Sequence, residues 1–333
     1  MSSAKTFDLV CVGNAIVDIL AEVEESFIAK HSLTKGAMQL VEPERAAQLY
    51  ADMPRTVECS GGSAANSAAV LASLGGKAAF IGRVAADQFG TVFVHDMTAQ
   101  GIAFASPARD HALPTGSSLI AVTPDGQRTM NTSLGCNVNF GSPDVPADII
   151  EQARVVLLEG YLFDKPQSKQ AFREALRYAK AAGSQVALTL SAEFCVHQHR
   201  ADFLELLASG VDILFANEEE LMALYKTDSW ELAASKVDEH VKVAVLTRGA
   251  KGAVVRVKGQ SPVVVPAAAV AKVVDTTGAG DAYAGGFIYG YTRGLSVAEC
   301  GRIAALSAAE VISHLGPRPQ VELAKLIAQP LAS

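Results

Sequence analysis

Six short apolar runs rich in β-branched residues punctuate the chain: "FDLVCVG", "AAFIGRV", "RVVLLEGY", "QVALTLSA", "VDILFAN" and "VAVLTRG". Runs that are apolar at nearly every position, rather than at alternate ones, predict strands buried on both faces of a sheet. Helix-like stretches separate them, at Ser63 to Leu74, Gln88 to Gln100, Pro166 to Ala181 and Glu218 to Tyr225. Strands alternating with helices predict βαβ units and a mainly parallel sheet. Pro166 suits the first turn of its helix. With 333 residues, half of them hydrophobic, the chain can bury the core such a sheet needs.

Two regions break the alternation. Thr115 to Gly135 holds two strand-like runs joined by Pro124-Asp125-Gly126, a hairpin signal with no intervening helix. Near the start, "DILAEVEESF" and "GAMQLVEPE" lie between the first strand and the first long helix. Together these predict a small β-rich flap beside the α/β body; the alternative is a pair of surface hairpins.

Charge and cysteine content exclude several function classes. The formal net charge is −7, with acids and bases interspersed, so nothing predicts binding to nucleic acid or to an anionic membrane. Cys11, Cys59, Cys136, Cys195 and Cys300 are scattered without a CxxC pair, which predicts reduced thiols rather than disulfides or a zinc site. The first residues lack a secretory signal pattern and no apolar run reaches membrane-spanning length, so a cytoplasmic protein is expected.

The chemistry concentrates in "DTTGAGDAYAGGFIYG", Asp275 to Gly290. Backbone N–H groups where a glycine turn enters a helix are unpaired and, with the helix dipole, favour an anion. Gly278, Ala279 and Gly280 offer such donors with little bulk. Asp281 would follow in the first helical turn, as a helix cap or as a functional carboxylate. Asp275 reads as a turn-stabilising acid or as a cation ligand. No GxxxxGK[ST] occurs, and Tyr283 stands where GxGxxG needs its third glycine, so a P-loop and a Rossmann dinucleotide site are both disfavoured. A second small-residue cluster, "CSGGSAANSAAVLASLGG", places Gly61, Gly62, Ser63 and Asn66 at another helix start, where close packing on a sheet is the simpler explanation.

These two clusters, in this order, with "NEEE" (Asn217 to Glu220) between them, resemble the signature regions of the PfkB-type, ribokinase-like family of carbohydrate and nucleoside kinases. "GNAIVDI", "TLSAEF", "VDILFANEEE", "KHSL" and "GGSAANS" look most like the adenosine kinases of that family. The resemblance implies a doubly wound α/β domain with helices on both faces (residues 1–15, 44–112 and 140–333). It also implies a small β-sheet lid (16–43 and 113–139), with the active site between them.

It implies roles as well. Asp281 matches the catalytic base, and Gly278, Ala279 and Gly280 match the anion hole. Asn14, Asp18, Gly62, Ser63 and Asn66 match the acceptor-binding region. Asn217 and Glu220 match the motif that organises Mg²⁺ and phosphate, the glutamate through water. Thr247, Arg248 and Gly249 lie where the family contacts ATP, and Asp275 matches a monovalent-cation (K⁺) site. Arg128, Arg248 and Lys272 are candidates to offset the triphosphate. Ile16, Leu40, Met130, Leu134, Tyr161 and Phe163 are candidates for an apolar slot, with Tyr161 or Phe163 stacking on a base.

The expected activity is ATP-dependent phosphorylation of a nucleoside, adenosine at its 5′-hydroxyl. The alternative is a sugar kinase acting on ribose, fructose or a sugar acid. Glu159 is what keeps that alternative open, because it falls where sugar kinases of the family place a hydroxyl-binding acid. Monomer and homodimer are both compatible with the sequence.

Overall fold

In β1 (Phe7–Val12) successive side chains leave opposite faces of the strand. Val10 and Val12 enter one apolar cluster, and Leu9 and Cys11 enter another. A strand buried on both faces needs two layers of cover, and helices supply both. The computed structural model describes residues 5–106 and 112–328. The assignments of residues 1–4, 107–111 and 329–333 to the large domain lie outside the described residues.

Among the described residues, β1 belongs to a nine-stranded sheet with β5 (Ala78–Ile81), β6 (Ala103–Phe104), β9 (Ala153–Glu159), β10 (Gln185–Thr189), β11 (Ile213–Asn217), β12 (Val243–Thr247), β13 (Ala253–Val257) and β14 (Val263–Val265). The spatial order is β14-β13-β12-β11-β10-β9-β1-β5-β6. The pairs are parallel except β12 with β13 and β13 with β14. On one face lie Phe172, Ala175, Phe203, Leu206 and Leu221, from the helices Pro166–Ala181, Glu193–Ala208 and Glu218–Tyr225. The other is covered by Ala64, Ala68, Phe287 and Ala304, from Ser63–Ser73, Ala279–Thr292 and Val297–Val311.

The non-alternating segments form a separate five-stranded sheet, ordered β3-β8-β7-β2-β4. Its strands are β2 (Ile16–Glu22), β3 (Met38–Leu40), β4 (Val57–Gly61), β7 (Gly116–Val122) and β8 (Arg128–Ser133). β7 and β8 pair antiparallel across the Pro124-Asp125-Gly126 turn, as the hairpin signal predicts. β4 falls outside the expected lid segments 16–43 and 113–139, yet it pairs antiparallel with β2, so Gly61 lies opposite Ile16. Its polar, cysteine-containing run has no clean alternation, and pairing with β2 is what makes it a strand.

Two of the crossings between body and lid are short. Residues 13–15 join β1 to β2, and Gly62 alone joins β4 to the helix Ser63–Ser73. Gly62 sits at φ +92°, and a Cβ there would meet the Asn14 carbonyl at 2.4 Å. Asn137 pins the first crossing by accepting from the Ala15 N–H (3.0 Å) and donating to its carbonyl (2.9 Å).

Small residues let the helices Ser63–Ser73 and Ala279–Thr292 approach closely. A Cβ on Gly285 would stand 2.5 Å from the Ser67 carbonyl oxygen and 2.9 Å from Val70 Cβ. Alanine raises helix propensity by about 1 kcal/mol over glycine, but backbone oxygen cannot retreat without moving a helix, and overpacking costs about 1–3 kcal/mol. Gly285→Ala should therefore be net destabilising, read as a lower urea midpoint at unchanged m-value.

Candidate active site

The carboxyl ends of the parallel strands carry the polar residues. Glu159 ends β9, Thr189 ends β10, Asn217 ends β11, Thr247 ends β12, and Asn14 follows β1. This is the edge at which open α/β sheets present their ligand sites. A cleft of about 1100 Å³ lies between this edge and the small sheet. Asn14, Asp18, Gly62, Ser63, Asn66, Glu159, Tyr161, Asn217, Glu220, Thr247, Arg248, Gly249, Gly278, Ala279, Gly280 and Asp281 all line it.

Gly278 adopts φ +76° and is the N-cap of the helix Ala279–Thr292; a Cβ there would collide with Pro317. The N–H groups of Gly278, Gly280 and Asp281 have no hydrogen-bond acceptor among the described residues. A Cβ on Gly280 would meet nothing within 4 Å. Open space in front of unpaired helix-start amides is the geometry that an anion site requires.

Asp281 does not cap its own helix. Its Oδ1 accepts from Ser63 Oγ at 2.6 Å and its Oδ2 from Asn66 Nδ2 at 3.0 Å. The second glycine cluster thus does two jobs at once, because alanines on one face of its helix pack on the sheet while Ser63 and Asn66 hold the carboxylate. Burial raises the Asp281 pKa, while the Ser63 and Asn66 hydrogen bonds and the Arg318 charge oppose the rise.

Glu159 is 1% exposed. Its Oε1 accepts from the Asn14 N–H (3.2 Å) and Asn14 Nδ2 (3.0 Å), and its Oε2 from the Ala64 N–H (2.8 Å). It ties β9 to the first crossing and to the start of the helix Ser63–Ser73. Burial pushes its pKa to about 7 against those N–H donors. Asp18, in β2, is pushed to about 6 by burial, with Arg128 and Arg318 opposing. The Asp18 side chain has no hydrogen-bond partner among the described residues and lies at the cleft.

Asn217 and Glu220 form a capping box at the start of the helix Glu218–Tyr225. Asn217 Oδ1 accepts from the Glu220 N–H, and the Glu220 carboxylate accepts from Asn217 N–H and Nδ2. Both Glu220 oxygens are thereby engaged, and burial pushes its pKa to about 7.

Several expected residues sit elsewhere or are otherwise engaged. Phe163 does not face the cleft: it is fully buried, with ring centroids 5.2 Å from Phe172 and 5.0 Å from Phe203. Tyr161, two residues earlier, lines the cleft beside Phe194. Lys272 is exposed and does not line the cleft. Arg248 pairs with Glu218 (2.8 Å) and covers the Trp230 ring.

Arg128 reaches from the lid to the loop before the glycine turn, where it pairs with Asp275 and donates to Thr277 Oγ1 (2.7 Å). Asp275 also accepts from Thr277 N–H and Gly316 N–H. Burial alone would raise its pKa, but Arg128 and these N–H groups hold it below the usual carboxylate range. Its carboxylate is therefore engaged by Arg128 and two backbone N–H groups. Arg318 was not singled out from the sequence; its signal was "GPRP" (Gly316 to Pro319), an arginine held between two prolines.

A carboxylate beside unpaired helix-start amides, in a walled cleft, suits transfer of an anionic group to a hydroxyl. The comparisons agree. The profile described as "pfkB family carbohydrate kinase" matches residues 7–323, and the chain belongs to that family. It has the ribokinase-like fold and is an ATP-dependent kinase acting on a hydroxyl.

The solved adenosine kinase from Sinorhizobium meliloti is 48% identical, with a TM-score of 0.90 over 97% of this chain and 98% of that one. The probable sugar kinase from Rhizobium etli CFN 42 is 46% identical, also with a TM-score of 0.90 and the same coverage. The 5-dehydro-2-deoxygluconokinase of Geobacillus thermodenitrificans is 30% identical over 80% of this chain and 83% of its own length. Among the described residues no helix is long and apolar enough to cross a membrane.

Glu159 yields a pH test. A carboxyl whose folded pKa is raised stabilises the fold fully below its unfolded pKa of ~4.3, and that contribution is lost as pH rises through the folded value of about 7. Glu159→Gln turns an amide NH₂ toward an N–H donor and should cost about 1–3 kcal/mol at pH 5.5. That cost should shrink as the pH is raised to 8, measured by urea melts of both proteins.

Proposed function

We propose that this kinase phosphorylates a nucleoside, adenosine at its 5′-hydroxyl. The observation that carries the reading is the register of the lid. Met38 on β3 lies opposite Met130 on β8, which lies opposite Ile120 on β7. One rung further, Leu40, Thr132, Ser118 and Asp18 align across β3, β8, β7 and β2. All of these side chains line the cleft. An apolar rung beside a polar rung ending in an unpartnered carboxylate suits a flat base joined to a hydroxyl-bearing sugar. A free sugar would leave the apolar rung facing water.

The Glu159 geometry points the same way. The sugar alternative draws on this carboxylate as a hydroxyl ligand, and three of its acceptor positions are already filled by Asn14 and Ala64. Asn14 and Asp18 hold the ribose hydroxyls in this reading, and Tyr161 borders the acceptor. Thr247, Arg248 and Gly249 border the ATP side.

In the transfer, the 5′-oxygen forms a bond to the γ-phosphorus as the bond to the β,γ-bridging oxygen breaks, and ADP leaves. The hydroxyl proton passes to Asp281. A carboxylate is too weak a base to ionise an alcohol beforehand, so it acts as the P–O bond forms. The amides of Gly278, Gly280 and Asp281 face the equatorial oxygens, where charge is spread in a loose transition state. Magnesium on the triphosphate would offset its charge. At the cleft wall Glu219 offers a carboxylate beside the Asn217–Glu220 capping box, and Glu220 would reach such an ion through the ion's own waters.

Asp281→Asn should lower kcat about 10²–10⁴-fold and leave adenosine binding by calorimetry within a few-fold. Turnover close to that of the unaltered protein would remove Asp281 from the base role. A panel of adenosine, ribose, fructose and sugar acids with coupled ADP detection tests the acceptor. Turnover of a free sugar without turnover of adenosine would overturn the nucleoside reading.

A further inference from the structure

The segment that follows the helix Val297–Val311 touches the phosphate loop and the base at consecutive points. The Ile312 carbonyl accepts from the Val274 N–H (2.8 Å) and Gly316 N–H donates to Asp275 (3.0 Å). Pro317 packs against Gly278, where a Cβ would come within 2.7 Å of it. Arg318 Nε donates to Asn66 Oδ1 (3.2 Å), and its terminal nitrogens donate to Ser60 Oγ (2.5 Å) and to Met97 Sδ (3.5 Å). No carboxylate lies within ion-pair distance of this guanidinium among the described residues.

An arginine only donates hydrogen bonds, so the Asn66 atom that faces it must be the amide oxygen. The amide is planar, and fixing its oxygen on Arg318 turns its NH₂ group toward Asp281 Oδ2. A neutral partner able to accept would let the amide turn over and set a carbonyl oxygen against the carboxylate. From this geometry we infer that Arg318 is a positioning residue: acting through Asn66, it fixes the orientation of the Asp281 carboxylate and keeps that carboxylate ready to accept a proton. Arg318 does not line the cleft, so it acts without touching the acceptor. Pro319 biases the preceding Arg318 toward extended backbone, and Pro317 fixes its own φ just before it.

The charge has a second consequence. Burial raises the Asp281 pKa and the Arg318 charge lowers it. The other ionisable groups around Asp281 are Cys11 from β1, Asp18 from β2, Glu159 and Tyr161 at the end of β9, and Glu220 from the helix Glu218–Tyr225. Among the described residues, Arg318 is the cation that acts on Asp281. Loss of that charge should raise the Asp281 pKa further, and the acid limb of kcat/KM should move to higher pH.

The inference rests on Asp281 being the base, and the test separates the two. Arg318→Gln, Arg318→Lys and Asp281→Asn are compared by thermal melts, kcat, KM and pH profiles with adenosine and ATP. Arg318→Gln should lower kcat roughly 10- to 100-fold, the scale of a misplaced reacting group, with adenosine KM little changed and the acid limb at higher pH. Arg318→Lys keeps the charge, so its acid limb should stay in place while kcat recovers only in part.

A normal kcat and acid limb in Arg318→Gln, with Asp281→Asn inactive, would overturn the inference and leave the base assignment standing. Losses that follow the melting temperature, with the acid limb unmoved, would make Arg318 merely structural. An active Asp281→Asn would overturn both. If Arg318→Gln does not fold, Arg318→Lys decides: an unchanged kcat there overturns the inference.

Discussion

The contact on which the site depends is the pair of hydrogen bonds that Ser63 and Asn66 make to Asp281. They join the starts of two helices separated by more than two hundred residues in sequence, and the contact exists only because those helices approach closely. That approach needs the alanines of the first helix and Gly285 of the second, so the packing of the core sets the position of the carboxylate. A carboxylate this enclosed would favour its protonated form. Two donors and a nearby guanidinium oppose that preference, though burial remains the larger effect.

Much of this was legible in the sequence because it is written in local periodicity. The apolar runs mark the body strands, the Pro-Asp-Gly turn marks the lid hairpin, and the helix limits at Pro166, Ala181, Glu218 and Tyr225 coincide with the observed ones. Glycine turns at 62 and 278 were readable as helix starts for the same reason. What escaped was decided by long-range pairing. β4 is polar and irregular, and only β2 makes it a strand. Phe163 and Tyr161 differ by two positions in a short turn rather than a strand, so alternation could not say which one meets the cleft. Nor could it say that Arg128 would be spent on Asp275, or that Glu159 would be enclosed by backbone N–H groups.

Glu159 also limits what the site around it can tolerate. A Cβ on Gly13 would stand 2.3 Å from its Oε2. The glutamate thus fills the space between β1, β9 and the helix at Ser63, and it supplies acceptors that the N–H groups there would otherwise lack. This acid also completes the floor on which Asn14 rests.

Residues two apart on a strand share one face. Arg128, Met130 and Thr132 therefore project together from β8: the first grips the loop beside the glycine turn, and the other two border the cleft. Part of the cleft wall and the restraint on the loop before the glycine turn are mounted on one rigid bar. A molecule that lifts or tilts Met130 must also pull on Asp275, so a guest of the wrong thickness would be sensed through the loop before any bond is made.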